Sequence, residues 1–391
     1  MVCPVKFFHD GLPGAPVMNG TAGSRKAVLD ACLVNGWGVV SVVGLSVSGG
    51  VATATVAAGH PFEVDSPALI AGAAVAGVNG EQRITATTTN TFSFAVDGVP
   101  SGSVSGTITA KIAPVGWVKA YESGNKAAYR SAAPSSTLTY FRIDDSAARY
   151  ALVRGYESMS DVDAGSGLFP DLSQSSVGLY ISGSDAATSA PRKWMVIADD
   201  RFIVLLTAHH SSSPDDYNAY LIGDFVSWRN PDNYNAMVCA GVSETSSSNN
   251  AGGSTPSIRS SMTNDGTYIA RKYTQLGGSL NVYRGIGALP ASAGAGISNS
   301  GSNNFSAGPS PIDGRIYLYP MFVLGEGSAP HGVIPGLYFV PQYLGASYNS
   351  KSRLDSPVGL DGRRLVAFRV GGYSDINQSG RVFVDITGPW R

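Results

Sequence analysis

Arg192-Lys-Trp-Met-Val-Ile-Ala-Asp-Asp-Arg-Phe-Ile-Val-Leu-Leu206 decides the fold class. Two apolar runs rich in β-branched residues flank Asp199-Asp200. Aspartates favour turns because their side chains bond their own backbone. The stretch therefore predicts two buried strands joined at that pair. Further along, Arg364 to Val370 and Arg381 to Ile386 read as a closing strand pair, with Gly371 to Gly380 as the loop between them. Arg315 to Leu324 predicts another strand. It is interrupted at Pro320, which lacks a ladder donor, so an edge or a bulge is expected there.

Composition agrees with strands. Charged residues are 14% of the chain, against roughly 25% in an average domain. Helices need charged, straight-chain residues on their wet face, and this chain is short of them. Glycine, 48 of 391 residues, supplies the turns that many short strands require. Hydrophobic residues at 43% and a mean hydropathy of +0.04 predict a folded soluble protein of two or three domains.

Residues 46–113 predict a small β module. Its expected strands are Leu45 to Val47, Val51 to Ala57, Pro67 to Ala71, Gln82 to Thr87, Thr91 to Val96 and Gly106 to Lys111. Gly49-Gly50, Asn79-Gly80 and Asp97-Gly98 mark the turns. Six short strands at this spacing suggest a small barrel or sandwich. Val39 to Phe62 carries no charge, yet Val51-Ala-Thr-Ala-Thr-Val56 alternates and Gly49-Gly50 breaks the run, so two strands are expected and not a membrane span.

Residues 1–45 read as an arm followed by one short helix. Val28, Leu29, Cys32 and Leu33 recur at helical spacing, Ser24 is the expected cap, and Asn35-Gly36 the stop. Lys6 to Asn19, with Pro13, Pro16 and several glycines nearby, is expected to be extended, covering its own domain or reaching a neighbour. Residues 114–391 predict a larger β-sandwich-like domain with Ser/Asn/Gly-rich loops around 243–261 and 291–311. The whole is an all-β expectation.

The function classes narrow in the same way. A net charge of −1 without a basic run argues against nucleic acid. Cys3, Cys32 and Cys239 are odd in number and widely spaced, suggesting neither a disulfide framework nor a zinc site. Met1 to Asp10 lacks the basic-then-apolar profile of a signal peptide.

No constellation for catalysis stands out. His9, His60, His209, His210 and His331 are the five histidines, and no serine sits in a Gly-x-Ser-x-Gly elbow; Ser46 and Ser48 lie in a Gly-rich stretch without that context. His209-His210 before Asp215-Asp216 has metal-capable types, but neighbours on a strand point to opposite faces. Asp161-Val-Asp-Ala-Gly165 opens like a calcium loop yet lacks the distal Glu, Glu157 lying on the wrong side. Paired carboxylates for glycoside cleavage remain a base-rate matter among 28 acidic residues. The expectation is no enzyme, no cofactor and no metal. Aromatics in loop-like settings, Trp228, Tyr234 and Tyr283, are the candidate interaction surface, with core packing as their alternative.

Several segments are familiar as an ordered set. They are Phe7-Phe-His-Asp-Gly-Leu-Pro-Gly-Ala-Pro-Val-Met-Asn-Gly20, Leu29-Asp-Ala-Cys-Leu-Val-Asn-Gly-Trp-Gly38, Gly155-Tyr-Glu-Ser-Met159, Ile222-Gly-Asp-Phe-Val-Ser-Trp-Arg229, Gly332-Val-Ile-Pro-Gly-Leu-Tyr338 and Asp385-Ile-Thr-Gly-Pro-Trp-Arg391. Together the chain resembles a family of tailed-bacteriophage virion proteins encoded among tail and baseplate genes. Gly59-His-Pro-Phe-Glu-Val64, Val78-Asn-Gly80 and Thr91-Phe-Ser-Phe94 are similar to a small β-barrel insert of phage tail proteins and ubiquitin-activating enzymes, one without catalytic residues of its own.

The resemblance implies a structural subunit of the tail or baseplate, made in the host bacterial cytoplasm. Its partners would be other virion proteins and copies of itself, in trimer- or hexamer-related symmetry. A host receptor-binding role, on glycan or pilus, is the alternative, and capsid decoration a lesser one. A cell-wall glycosidase on this scaffold is the remaining rival.

Overall fold

The computed structural model describes residues 3–212, 214–242, 266–285, 314–325, 329–340, 342, 344, 347–370 and 380–391. The Ser/Asn/Gly-rich stretches 243–261 and 291–311 and the loop 371–379 lie outside the described residues.

The hairpin at 192–206 forms as read. Lys193–Ala198 and Phe202–Ala208 pair antiparallel, with Lys193 opposite Ala208 and Ala198 opposite Ile203. Asp199 Oδ1 accepts hydrogen bonds from Arg201 N at 2.8 Å and Phe202 N at 2.6 Å, which fixes the turn. The hairpin founds a central sheet. Asn218–Asp224, Ala236–Cys239, Thr267–Ile269 and Leu280–Asn281 extend it on one side. On the other side its edge is Lys6–His9.

All seven residues of Phe202–Ala208 are buried, as are all seven of Asn218–Asp224. A sheet with one wet face would alternate; an unbroken run means that both faces are covered. Trp194, Val196 and Leu205 join an apolar cluster with Phe141, Ile143 and Val153. These last belong to an inner sheet built from Val118–Ser123, Lys126–Arg130, Tyr140–Asp144, Tyr150–Asp161, Ala164–Phe169 and Leu179–Ser182. Met195, Val204 and Leu206 project the other way, into a second cluster with Val323, Phe339 and Val384. That cluster is shared with an outer sheet of Tyr283–Gly285, Tyr319–Leu324, Pro330–Val340, Gly380–Asp385, Arg364–Val370 and Arg353–Asp355, with Val226–Ser227 beside Pro330–Val340. Three β layers result, and the quoted hairpin lies in the middle one.

Ahead of this stack six strands close into a barrel: Trp37–Ser48, Val51–Val56, Thr91–Ala95, Gly80–Thr87, Pro67–Ala73 and Gly106–Ile112, in that order around the ring. Closure works because Trp37–Ser48 is long and irregular. Its first half pairs with Gly106–Ile112 and its second with Val51–Val56, with a register shift in each ladder. Bulges of this kind bend a strand around a barrel corner. Gly49 and Gly50, at φ +57° and +77°, make the tight turn between the first two strands. Ala52, Ala54, Phe92, Phe94 and Ile84 fill the interior. The barrel is tied to the stack by a Lys6–Glu81 ion pair at 2.5 Å and by Arg83, which donates to Ile386 O at 3.1 Å and Val5 O at 3.3 Å.

Three local readings are corrected. The first barrel strand starts at Trp37, eight residues before Leu45, because its bulges hide the alternation. Ser24 does not cap the helix Ser24–Leu29: Gly23 stands at that position, and the Ser24 hydroxyl donates to Asn19 O at 2.9 Å. The helix amides of Arg25 and Lys26 donate instead to the Asp145 carboxylate, at 2.8 and 2.9 Å, across 120 residues of sequence. The Asn35-Gly36 stop holds, through a wider π-type turn over Asp30–Asn35 and Gly36 at φ +65°.

Of the two alternatives for the extended segment, covering its own domain is the one that forms. Lys6–His9 pairs with the central sheet, Met18 bridges Arg192, and Trp194 Nε1 donates to Pro16 O at 2.9 Å. Lastly, the strand expected from Arg315 begins at Tyr319; the ladder shifts register after Pro320, as its missing amide predicts. Among the described residues no helix is long and apolar enough to cross a membrane.

Candidate functional site

Trp228 and Tyr234 lie on one loop. Val226–Ser227 pairs with Gly332–Val333, and the chain then turns through Arg229, Asn230 and Pro231. Trp228 N donates to His331 O at 3.0 Å, while its ring, 51% exposed, packs edge-on against Phe322 at 5.6 Å. Asp232 is the brace of the loop. Its carboxylate accepts from Ser227 Oγ at 2.7 Å and Tyr234 N at 2.9 Å, and lies 3.7 Å from His331 Nε2. Burial alone would raise that carboxyl, but the bonds from His331, Ser227 and Tyr234 outweigh it and hold it below its ordinary value.

Tyr234 is half-buried. The Arg271 guanidinium lies over its ring at 4.0 Å, and Arg271 is itself held by Glu157 through two bonds of 2.6 Å. Tyr273, 45% exposed, packs against His331 at 5.0 Å, and Leu276 beside it is 71% exposed. The outward surface is therefore Trp228, Tyr273 and Leu276, with Tyr234 as a packed support. Tyr283 is not on that loop: it is half-buried in the edge strand of the outer sheet, opposite Leu324.

The other chemistry-bearing residues have structural partners. His209 is buried, with Nδ1 at 2.7 Å from Asn218 Nδ2, and burial followed by His210 pushes its pKa down to about 4. Asp163 pairs with Lys126 at 2.8 Å and with Arg142 at 2.5 Å, at a hairpin turn and not in a calcium loop. Cys3, Cys32 and Cys239 are free and buried. Among the described residues no group of three His, Cys, Asp or Glu is placed to hold a metal ion.

Segments 222–229, 332–338 and 385–391 meet in space. A side chain at Gly332 would strike Val226 O and the Phe225 ring, and one at Gly336 the Trp390 ring at 2.2 Å. Trp390 Nε1 donates to Asp385 O at 2.9 Å; Arg391 reaches Asp224 O at 2.9 Å and the Asp199 carboxylate at 3.2 Å. These glycines are therefore sites of close approach, Gly332 to the neighbouring strand Val226–Ser227 and Gly336 to the C-terminal segment, at which no larger residue fits.

One concave site escaped the sequence reading. On the face of the outer sheet turned away from the stack, a half-open groove of about 640 Å³ is lined by Tyr317, Tyr319, Tyr338 and Tyr348, with Arg315 at its side. Gln342, buried, clamps one wall: Tyr317 N donates to its Oε1 at 2.6 Å and its Nε2 donates to Arg315 O at 2.9 Å. Nothing in the local sequence announces it, because residues 30 apart form the two sides.

No known protein family matches the chain, and no curated protein matches it. Among solved structures the chain is similar to Phage phi92 endosialidase at 9% identity and a TM-score of 0.17, over 90% of this chain and 52% of that one. The chain spans about half the length of that endosialidase, and a likeness of this degree carries no argument.

Proposed function

We propose that this chain is a non-catalytic structural subunit of the tail or baseplate of a tailed-phage particle, made in the host cytoplasm and assembled there with other virion proteins and with copies of itself. The observation that carries the reading is the junction just described. Three of the segments by which the sequence resembles tail and baseplate proteins, far apart in the chain, are packed against one another between the central and outer sheets. The low charge and the many sheet edges suit a protein that packs by shape and strand-edge contact. The segment Lys6–Asn19 is bound into its own chain, so any contact that it makes is made as part of the folded surface and not as a free arm.

A second reading, host receptor binding, is favoured by the exposed rings of Trp228 and Tyr273. Mass spectrometry of gradient-purified particles tests the first. Stoichiometric presence in the virion, with defective tails when the gene carries a nonsense codon, is expected; absence from particles that still infect overturns it.

A further inference from the structure

We infer that the outer face of the barrel is a two-fold docking surface for a second copy of this chain. The inference deepens the proposed assembly with copies of itself, and rests on that reading only for the crowding that populates a weak contact.

The face lies on Trp37–Ser48, Val51–Val56 and Thr91–Ala95, with Gly102–Ser103 beside them. Alternation sends Leu45, Val47, Ala52, Ala54, Phe92 and Phe94 into the barrel, and the residues between them point outward. Val39, Val43 and Val51 are 68%, 66% and 41% exposed. Not one Asp, Glu, Lys or Arg occurs on these four strands. A soluble surface is about 25–35% charged, so a bare face with three projecting valines is set apart from ordinary wet sheet.

Register aligns the polar groups of the face. Ser103, Ser46, Thr53 and Ser93 stand opposite one another in a row across the four strands. Thr53 Oγ1 and Ser93 Oγ lie 3.0 Å apart, so these two hydroxyls already satisfy each other, and burying the face leaves fewer donors unpaired.

The same chemistry selects the occupant. Near a two-fold axis each residue meets its own copy, and a charge there would meet its like. A hydroxyl both donates and accepts, so a row of hydroxyls is complementary to an identical row. This face therefore fits itself without repulsion, and a net charge of −1 adds little at long range. With the axis along the hydroxyl row, the Ser48, Val51 and Ala95 row of one copy covers the Gly44, Thr55 and Thr91 row of the other.

Size sets the strength. Strand spacing of about 4.8 Å and a rise of about 3.3 Å per residue make the patch about 20 Å square, or about 400 Å² on each copy. Two such faces bury less than the about 1,200 Å² of stable complexes, so a dissociation constant of about 0.1 mM is expected.

Sedimentation velocity of the purified full-length chain, from about 5 µM to about 500 µM, is the test. A 40.5 kDa monomer should give way to a dimer as concentration rises. The constant should not change between about 0.05 M and about 0.5 M salt, because no ion pair holds the contact. Ser46→Glu and Ser46→Lys should each weaken the dimer about tenfold or more, by setting like charges across the axis, and mixing the two variants should restore it as a heterodimer. Val43→Lys, away from the axis, should weaken it independently. Ser46 and Val43 are exposed, so all three variants keep the wild-type melting curve. A chain still monomeric at about 500 µM overturns the inference. So does association that is indifferent to these variants, that dissolves in salt, or that the mixture fails to restore, since the contact would then lie elsewhere or join unlike surfaces. Particle mass spectrometry reads the subunit assignment separately: a dimer formed by a chain absent from particles would sink that assignment and leave the docking face standing.

Discussion

Truncating two neighbours in one strand, Val204→Ala and Leu205→Ala, distinguishes a middle layer from an ordinary outer one. Both side chains are 0% exposed, and they project into different clusters, Val204 towards the outer sheet and Leu205 towards the inner one. Leu→Ala removes three carbons, at about 0.8 kcal/mol each, and leaves a cavity that the surrounding layers cannot collapse into. The expected loss is about 3.5 kcal/mol. Val→Ala removes two carbons, for about 2.5 kcal/mol. With an unfolding entropy of about 2.1 cal/mol/K per residue over 391 residues, the melting temperature should fall by about 4 °C and about 3 °C. Scanning calorimetry and urea titration, with unchanged dependence on urea, are the assays. If either variant lay within about 0.5 kcal/mol of wild type, one face of this strand would be wet and the three-layer account would be refuted.

Other perturbations follow from the same contacts. Asp145→Ala strips the carboxylate from the fully buried Arg25 and from two helix amides, so equilibrium unfolding should show a loss of about 3–5 kcal/mol. His209 has a folded pKa of about 4 against 6.5, so the unfolded state binds the extra proton: its contribution is complete above pH 6.5 and is lost as pH falls towards 4. Roughly 3 kcal/mol of acid sensitivity should vanish in His209→Gln, and stability curves of equal slope for both proteins over that window would contradict this. Gly336→Ala drives a methyl group into the Trp390 ring at φ +67°, so a loss of about 2–4 kcal/mol and altered tryptophan emission are expected on thermal melting.

Local chemistry made much of this fold readable. Gly49-Gly50, Asp199-Asp200 and the 364–386 strand pair are set by residues next to one another, and all three form as expected. What escaped depends on distant partners. Ser24 has the right residue type for a cap, yet Asp145 takes the helix amides because it also pairs with Arg25. Lys6–His9 reads as an arm among prolines and glycines, and becomes a strand only because Lys193–Ala198 offers an open edge. At the candidate surface, loop position was enough to pick out Trp228, but not to see that Tyr234 would lie beneath Arg271. Tyr317 and Tyr348 share a groove through sheet geometry alone.

Immunogold electron microscopy of intact particles, with antibody raised against this chain, tests the tail or baseplate assignment most directly. The account predicts gold at the tail tip or baseplate. Gold on the head, or none on particles whose denatured proteins also fail to react, would contradict it.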